Sequence, residues 1–284
     1  MLSPLPVQSI LKDYGLHPKK GLGQNFLVDD TYLQRIVEAA GVSPQDEVLE
    51  IGAGLGSLTR YLAASAGRVC AVEMDGRFMP VLKKVLKDFD NVTLVNADMM
   101  ETDPGEWMRQ PGYQVVANIP YYITSALIRH LLESGVKPGR MTLTIQKEVA
   151  QRICAKAGDL SLLALSVQVF GNPRVALAIP AGAFYPAPKV DSAVLTVELL
   201  ENPLIPQEHL AEFFNLAKAA FSHKRKMLHN ALSGYAGLGA EGAARLLEKA
   251  AIDAQRRAQT LTLEEWGRLA DASLQLKAQQ NLIT

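Results

Sequence analysis

The stretch Val48-Leu49-Glu50-Ile51-Gly52-Ala53-Gly54-Leu55-Gly56-Ser57 decides the fold. A short β-like run enters three alternate glycines, and a helical pattern starts directly behind them. Glycine removes the Cβ atoms that would keep a ligand off the backbone at the carboxyl end of a strand. The same alternation continues downstream. β-like runs at 69–72, 92–95, 114–117 and 141–145 are separated or followed by helical spacing at 78–86, 122–132 and 147–155. Repeated strand–helix–strand units predict a mostly parallel sheet covered on both faces. The apolar run 162–170 and the run 190–200 have no helical pattern between them, so they are expected as two late strands forming an antiparallel edge.

Outside this block the pattern changes. Residues 1–30 hold Lys19-Lys20 beside Pro18, Gly21 and Gly23, and are expected to be a flexible basic arm ending in the tight segment Gln24-Asn25-Phe26-Leu27. Thr31 is positioned to cap a helix with Leu33, Ile36, Val37 and Ala40 on one face, ended by Gly41. Beyond Asn202-Pro203 the chain turns helical at 210–221, 226–232, 242–250 and 263–276. The expected organisation is therefore an arm (1–30), a Rossmann-like α/β domain (31–202) and a small all-helical domain (203–284).

In 284 residues, Lys+Arg and Asp+Glu balance at 29 each, with 48% hydrophobic residues, which excludes a disordered or collagenous chain and leaves ample material for a core. The balance is uneven along the chain: −4 over 31–110, +3 over 111–200 and +1 over 201–284. Lys218, His223, Lys224, Arg225, Lys226 and His229 fall together without an acid, so a basic patch coexists with neutrality. No apolar run is long enough for a membrane span and the start lacks a signal-peptide layout, so a cytoplasmic address is expected. Cys70 and Cys154 sit in apolar surroundings, 84 positions apart, and are expected as buried thiols; no metal site is expected.

The glycine turn reads GxGxG, where the dinucleotide fingerprint asks for GxGxxG. That spacing, in Gly52, Gly54 and Gly56, favours S-adenosylmethionine, which has no phosphate, over a nicotinamide cofactor. Glu73 ends the second strand, where a carboxylate can accept from a ribose diol. Asp98 follows the third strand and can accept from an adenine amino group. At the end of the fourth strand stand Asn118-Ile119-Pro120-Tyr121. An aromatic amino group is a poor nucleophile because its lone pair is conjugated. Acceptors on its hydrogens, the Asn118 side-chain carbonyl among them, stabilise the charge that develops as it attacks a methyl carbon. Tyr121 offers a face for an unstacked base.

Gln24-Asn25-Phe26-Leu27, the glycine turn, Glu73, Asp98, Asn118-Ile119-Pro120-Tyr121 and Phe184-Tyr185-Pro186-Ala187-Pro188-Lys189-Val190-Asp191-Ser192 together resemble the ribosomal RNA adenine N6-dimethyltransferases, over residues 17–270. Within that family the bacterial 16S type is the nearer match. The resemblance implies an S-adenosylmethionine-dependent methyltransferase fold, with cofactor contacts at Asn25, Leu27, Gly52, Gly54, Glu73, Asp98 and Asn118. It implies that Asn118, Tyr121 and Phe184 hold the target adenine, and that Lys224, Arg225 and Lys226 contact RNA. The implied partner is 16S rRNA in the small ribosomal subunit or its precursor, met by a monomer. The implied reaction dimethylates N6 of two adjacent adenosines in the 3′-terminal hairpin. Alternatives are a 23S methylase of the erythromycin-resistance type, similar through the same four-residue segment, and an assembly factor for which methylation is incidental. Where the family commonly carries Tyr-Gly-basic-Leu-Ser, this chain has Ala157-Gly158-Asp159-Leu160-Ser161, and Arg257-Ala258-Gln259 stands for Arg-Ala-Glu.

Overall fold

Nine strands alternate with helices through the first two-thirds of the chain in a computed structural model that describes residues 2–19, 21, 23–119, 123–223 and 225–281. The strands are β1 (Phe26–Leu27), β2 (Glu47–Ile51), β3 (Arg68–Glu73), β4 (Val92–Asn96), β5 (Gln114–Asn118), β6 (Arg140–Gln146), β7 (Gly171–Ile179), β8 (Phe184–Tyr185) and β9 (Ser192–Leu199). The helices are α1 (Val7–Asp13), α2 (Asp30–Ala40), α3 (Ser57–Ala63), α4 (Met79–Val85), α5 (Thr124–Glu133), α6 (Lys147–Ile153), α7 (Leu162–Gln168), α8 (Leu210–Phe221), α9 (Leu228–Leu232), α10 (Gly239–Lys249) and α11 (Leu263–Asn281).

Seven strands form one sheet in the order β4-β3-β2-β5-β6-β9-β7. β2 to β6 pair in parallel, and β9 runs antiparallel to β6 with Leu195 opposite Leu143. Strand order reverses at β2, whose neighbours are β3 and β5, and a ligand crevice at the carboxyl ends is expected there. The central strands are apolar on both faces: Val48, Leu49, Val69, Ala71, Val115 and Val116 are fully buried. A separate two-stranded ladder sets Phe26 opposite Tyr185 and Leu27 opposite Phe184.

The chain divides into two compact units, Met1–Ala150 with Pro173–Leu199, and Gln151–Asn172 with Leu200–Thr284. The sequence places a single boundary near 203, whereas residues 151–172 cluster with the helical unit. Most of the run expected as a strand at 162–170 is in fact helix α7. Ser161 caps it by accepting from the Ala164 N–H at 3.2 Å, and the late strand begins instead at Gly171. A continuous apolar run does not distinguish a buried strand from a buried helix. The expected arm is also corrected: residues 7–13 form α1, and Val7, Leu11 and Leu16 are buried in the first unit's core. At α2 the cap is Asp29, not Thr31, whose N–H it accepts at 2.9 Å.

The helical unit is built around Trp266 and Phe213, both fully buried, with rings 6.2 Å apart edge to face. Glu212, the one deeply placed acid among the unit's described residues, accepts from Ser273 Oγ and from Lys277 Nζ at 2.6 Å. Burial alone would raise this carboxyl, but these donors hold it below its ordinary value. No described helix is long and apolar enough to cross a membrane.

Candidate active site

The carboxyl ends of β2 to β5 open on one cavity. Residues 23–26 form one wall, and Gly52, Gly54, Glu73, Asp98, Asn118 and Phe184 contribute to the others. The fold thus brings together Asn25, Gly52, Gly54, Glu73, Asp98, Asn118 and Phe184, all singled out in the sequence. Leu27 is not in the lining; it is buried in β1 opposite Phe184. Tyr121 and Lys224 lie outside the described residues, and Arg225 and Lys226 are exposed in the helical unit. Cys70 is buried in β3, and burial pushes its thiol up to about 11; Cys154 is half-buried.

Each side chain is fixed by a local reason. Asn118 ends β5, and its Nδ2 donates to the main-chain oxygen of Asn25 at 3.1 Å. Its Oδ1 has no partner among the described residues. Glu73 ends β3 and is 5% exposed. Its Oε2 accepts from the Gly54 N–H and its Oε1 from the Asp75 N–H, both at 2.8 Å. Burial raises this carboxyl above its ordinary value against the pull of those donors. Asp98 Oδ1 accepts from the Met100 N–H at 2.9 Å. Gly54 has φ +58°, and a Cβ there would stand 3.1 Å from the Phe26 ring, so the turn and the wall beside it need glycine.

Sequence reasoning missed a clamp on the 23–26 segment. Asp75, 7% exposed, receives Arg77 through Nε at 2.8 Å and a terminal nitrogen at 2.6 Å, and also receives Gln24 Nε2 at 3.1 Å. The Arg77 guanidinium holds the Asp75 carboxyl well below the usual carboxylate range. The available signal was an aspartate two residues past the strand-end Glu73, with an arginine two further on. Its partner Gln24 is 51 positions away, which no local pattern reveals.

The turn's own donors decide what can lie on it. Gly52 and Ala53 N–H both point to Val72 O, at 2.8 and 3.2 Å; Gly54 is spent on Glu73, and Gly56 on Ala53 O at 2.9 Å. A pyrophosphate needs such groups unpaired. The lining holds Glu73 and Asp98 and, among the described residues, no Lys, Arg or His. A cavity of this charge repels phosphate and favours a cation.

The model of the ribosomal RNA adenine dimethylases matches residues 15–269. The chain belongs to that family. A small-subunit ribosomal RNA methyltransferase A of Dehalococcoides mccartyi strain CBDB1 is 43% identical over 263 residues, covering 92% of this chain and 90% of the relative. The enzyme of the same name from Enterococcus faecalis is 41% identical, with 95% of each chain covered. Among solved structures, a dimethyladenosine transferase from Plasmodium falciparum is similar with TM-score 0.74 and 26% identity, over 85% of this chain and 94% of that one. The 23S rRNA methyltransferase ErmE gives TM-score 0.69 at 29% identity, over 87% and 99%.

Dimethylases of this family use S-adenosylmethionine, and the cavity fits it. The glycines of the cradle offer room while their own N–H groups are already engaged, and strand-end carboxylates suit a ribose, an amino group and a positive sulfonium. A third acid stands behind the turn. Glu50 in β2 is 1% exposed, its Oε2 is without a partner among the described residues, and burial, with the nearby charge of Glu73, pushes its carboxyl up to about 8. At neutral pH it is therefore mostly protonated and adds no full negative charge behind the turn.

Because the folded state holds the Glu50 proton that the unfolded chain releases near 4.5, its contribution to stability is fully present below that value and is lost as pH rises toward 8. Across that window the loss approaches about 1.4 kcal/mol per pH unit. Glu50→Gln is expected to flatten this dependence. Urea denaturation at pH 5, 7 and 9 should show the variant gaining on the parent through pH 8 and levelling beyond; parallel curves would mean that Glu50 is ionised in the fold.

Proposed function

We propose that this chain transfers methyl groups from S-adenosylmethionine to N6 of two adjacent adenosines in the 3′-terminal hairpin of 16S rRNA, acting as a cytoplasmic monomer in small-subunit maturation. The observation that carries the reading is an amide of fixed orientation, Asn118, at the edge of an acidic cavity with no Lys, Arg or His in its lining among the described residues. When bound, the cofactor supplies an electrophilic methyl carbon on a sulfonium. Glu73 accepts from its ribose diol and Asp98 from its adenine amino group, while Asn25, Gly52 and Gly54 contribute main-chain surface. Asn118 Oδ1 accepts one hydrogen of the target amino group, drawing its lone pair out of conjugation as positive charge develops on nitrogen. Phe184 and Tyr121 take the two faces of the base. Dimethylation requires that the pocket also accept the monomethyl product, with a methyl in place of one hydrogen bond.

The 41–43% identity of relatives named for the small subunit favours that substrate over the 23S alternative, supported at 29% identity by ErmE. The test is to incubate the protein with labelled cofactor and unmethylated ribosomal subunits, then to identify the labelled nucleoside and its position by mass spectrometry. Label in N6-dimethyladenosine of the small-subunit RNA is expected. Label confined to large-subunit RNA would move the chain to the 23S type, and binding without label would make it an assembly factor.

The basic run at the start of the helical tail meets RNA phosphates through Lys224, Arg225 and Lys226. Replacing all three with Ala should reduce the slope of log Kobs against log salt by about 0.7 to 0.9 for every phosphate that the variant no longer neutralises. A filter-binding series from low to high salt checks this, and an unaltered slope would make the run ordinary surface.

A further inference from the structure

A second cavity lies wholly within the helical unit, bounded by the loop before α7, the end of α8 and the segment at 258–259, and encloses about 440 Å³. That volume falls in the range of about 300–1,000 Å³ typical of small-ligand sites. Its frame is tied together: Gln259 Nε2 donates to Gly158 O at 3.0 Å, and Gln259 O accepts from the Gly158 and Leu160 N–H groups at 2.9 and 3.3 Å. Arg152 and Lys218 line it and are exposed, and neither has an acid within ion-pair distance among the described residues. Asp159, also in the lining, has no cationic partner among them either. Phe221 contributes an aromatic wall and is itself held by a stacked contact with the buried Trp266, rings 6.0 Å apart.

We infer that this cavity, in the helical unit and distinct from the cofactor cavity of the first unit, binds one unpaired nucleotide of the RNA substrate. The three kinds of group match the three parts of a nucleotide. Two unpaired cations meet a phosphate, the Phe221 ring offers a stacking face, and the Asp159 carboxylate and the Gln259 side-chain carbonyl accept from a base edge or a ribose hydroxyl. An anion alone would gain nothing from Asp159, which opposes it. A peptide acid would use the cations, and its N–H groups the acceptors, but would leave the Phe221 face without a flat partner. The inference rests on the reading of the chain as an RNA enzyme and adds a second point of grip, which would fix the hairpin's register on the protein.

The test uses the full chain saturated with S-adenosylhomocysteine, so that added nucleotides cannot occupy the cofactor cavity. Adenosine, guanosine, cytidine and uridine 5′-monophosphates are titrated by NMR, with inorganic phosphate and adenosine as separate probes. At least one monophosphate should bind about tenfold more tightly than either part alone. The Arg152→Ala/Lys218→Ala double variant should lose about tenfold of that affinity, and Ser222→Tyr, which fills the cavity from its exposed rim, should abolish the preference for nucleotide over phosphate. Phosphate binding as tightly as the nucleotides, or affinity indifferent to both variants, overturns the inference. Methylation of unmethylated small subunits is followed in parallel, on the same proteins freed of S-adenosylhomocysteine and supplied with S-adenosylmethionine. Methylated adenosine without nucleotide binding defeats this inference alone, whereas nucleotide binding without methylated adenosine defeats the catalytic reading alone.

Discussion

Asn118→Ala is expected to lower kcat for adenine methylation by about 10²–10³-fold, the usual consequence of removing one preorganised hydrogen-bonding group from a developing charge, while the Kd for S-adenosylhomocysteine should rise far less. The asymmetry follows from where the side chain is spent. Its Nδ2 is engaged with Asn25 O at 3.1 Å, which fixes the amide; in the proposed reaction Oδ1 is then the end that meets the substrate. That oxygen matters little until the target nitrogen begins to acquire positive charge, so the loss falls on the transition state. Asn118→Asp separates the two ends of the amide. It retains an acceptor but sets a carboxylate oxygen against Asn25 O, so it should restore little activity. Single-turnover methylation of RNA, paired with calorimetric titration of S-adenosylhomocysteine, checks the split. Equal losses in both would mean that Asn118 only seats the cofactor.

The parts of this site legible in the sequence are those set by strand ends. A parallel strand delivers its end to the same edge as its neighbours, so Glu73 and Asn118, the last residues of β3 and β5, and Asp98, two residues past β4, could be placed together without knowing any contact. The strands themselves end within a residue or two of the expected positions; β2, for example, spans Glu47–Ile51. What stayed hidden is long-range. α1 has only seven residues, and its order comes from burying Val7 and Leu11 in a core formed by later elements. The run at 162–170 gave no periodicity that could separate helix from strand. The clamp of Asp75 on Gln24 joins a loop to a strand end, and the spent donors of Gly52 and Ala53 became visible only once Val72 was seen across from them. Those engaged donors separate the cofactor classes more sharply than the glycine spacing does, because they concern the chemistry of the groups and not merely the shape of the turn.

Glu73→Ala should show the opposite kinetic pattern to Asn118→Ala. On the proposed reading the Glu73 carboxylate has two tasks on one buried group: each oxygen already accepts a main-chain N–H, from Gly54 and from Asp75, and each retains lone-pair capacity for a ribose hydroxyl. Hydrogen bonds to a charged acceptor contribute about 1.5–3 kcal/mol each, so losing two to the ribose predicts a rise in cofactor Kd on the order of 10²–10⁴-fold. Truncation also leaves two buried donors unpaired, costing the fold about 1–3 kcal/mol apiece. Glu73→Gln holds the shape but must turn an NH2 toward one of those N–H donors, so it cannot rescue both and should remain at least tenfold impaired. Removing the Glu73 charge also relieves Glu50, whose carboxyl should titrate lower in either variant. Calorimetry with S-adenosylhomocysteine reads the affinity, and circular dichroism confirms that the variants are folded. A folded Glu73→Ala protein that binds cofactor within tenfold of the parent would show that this carboxylate serves only the turn, and the ribose would then need another acceptor at the edge of the sheet.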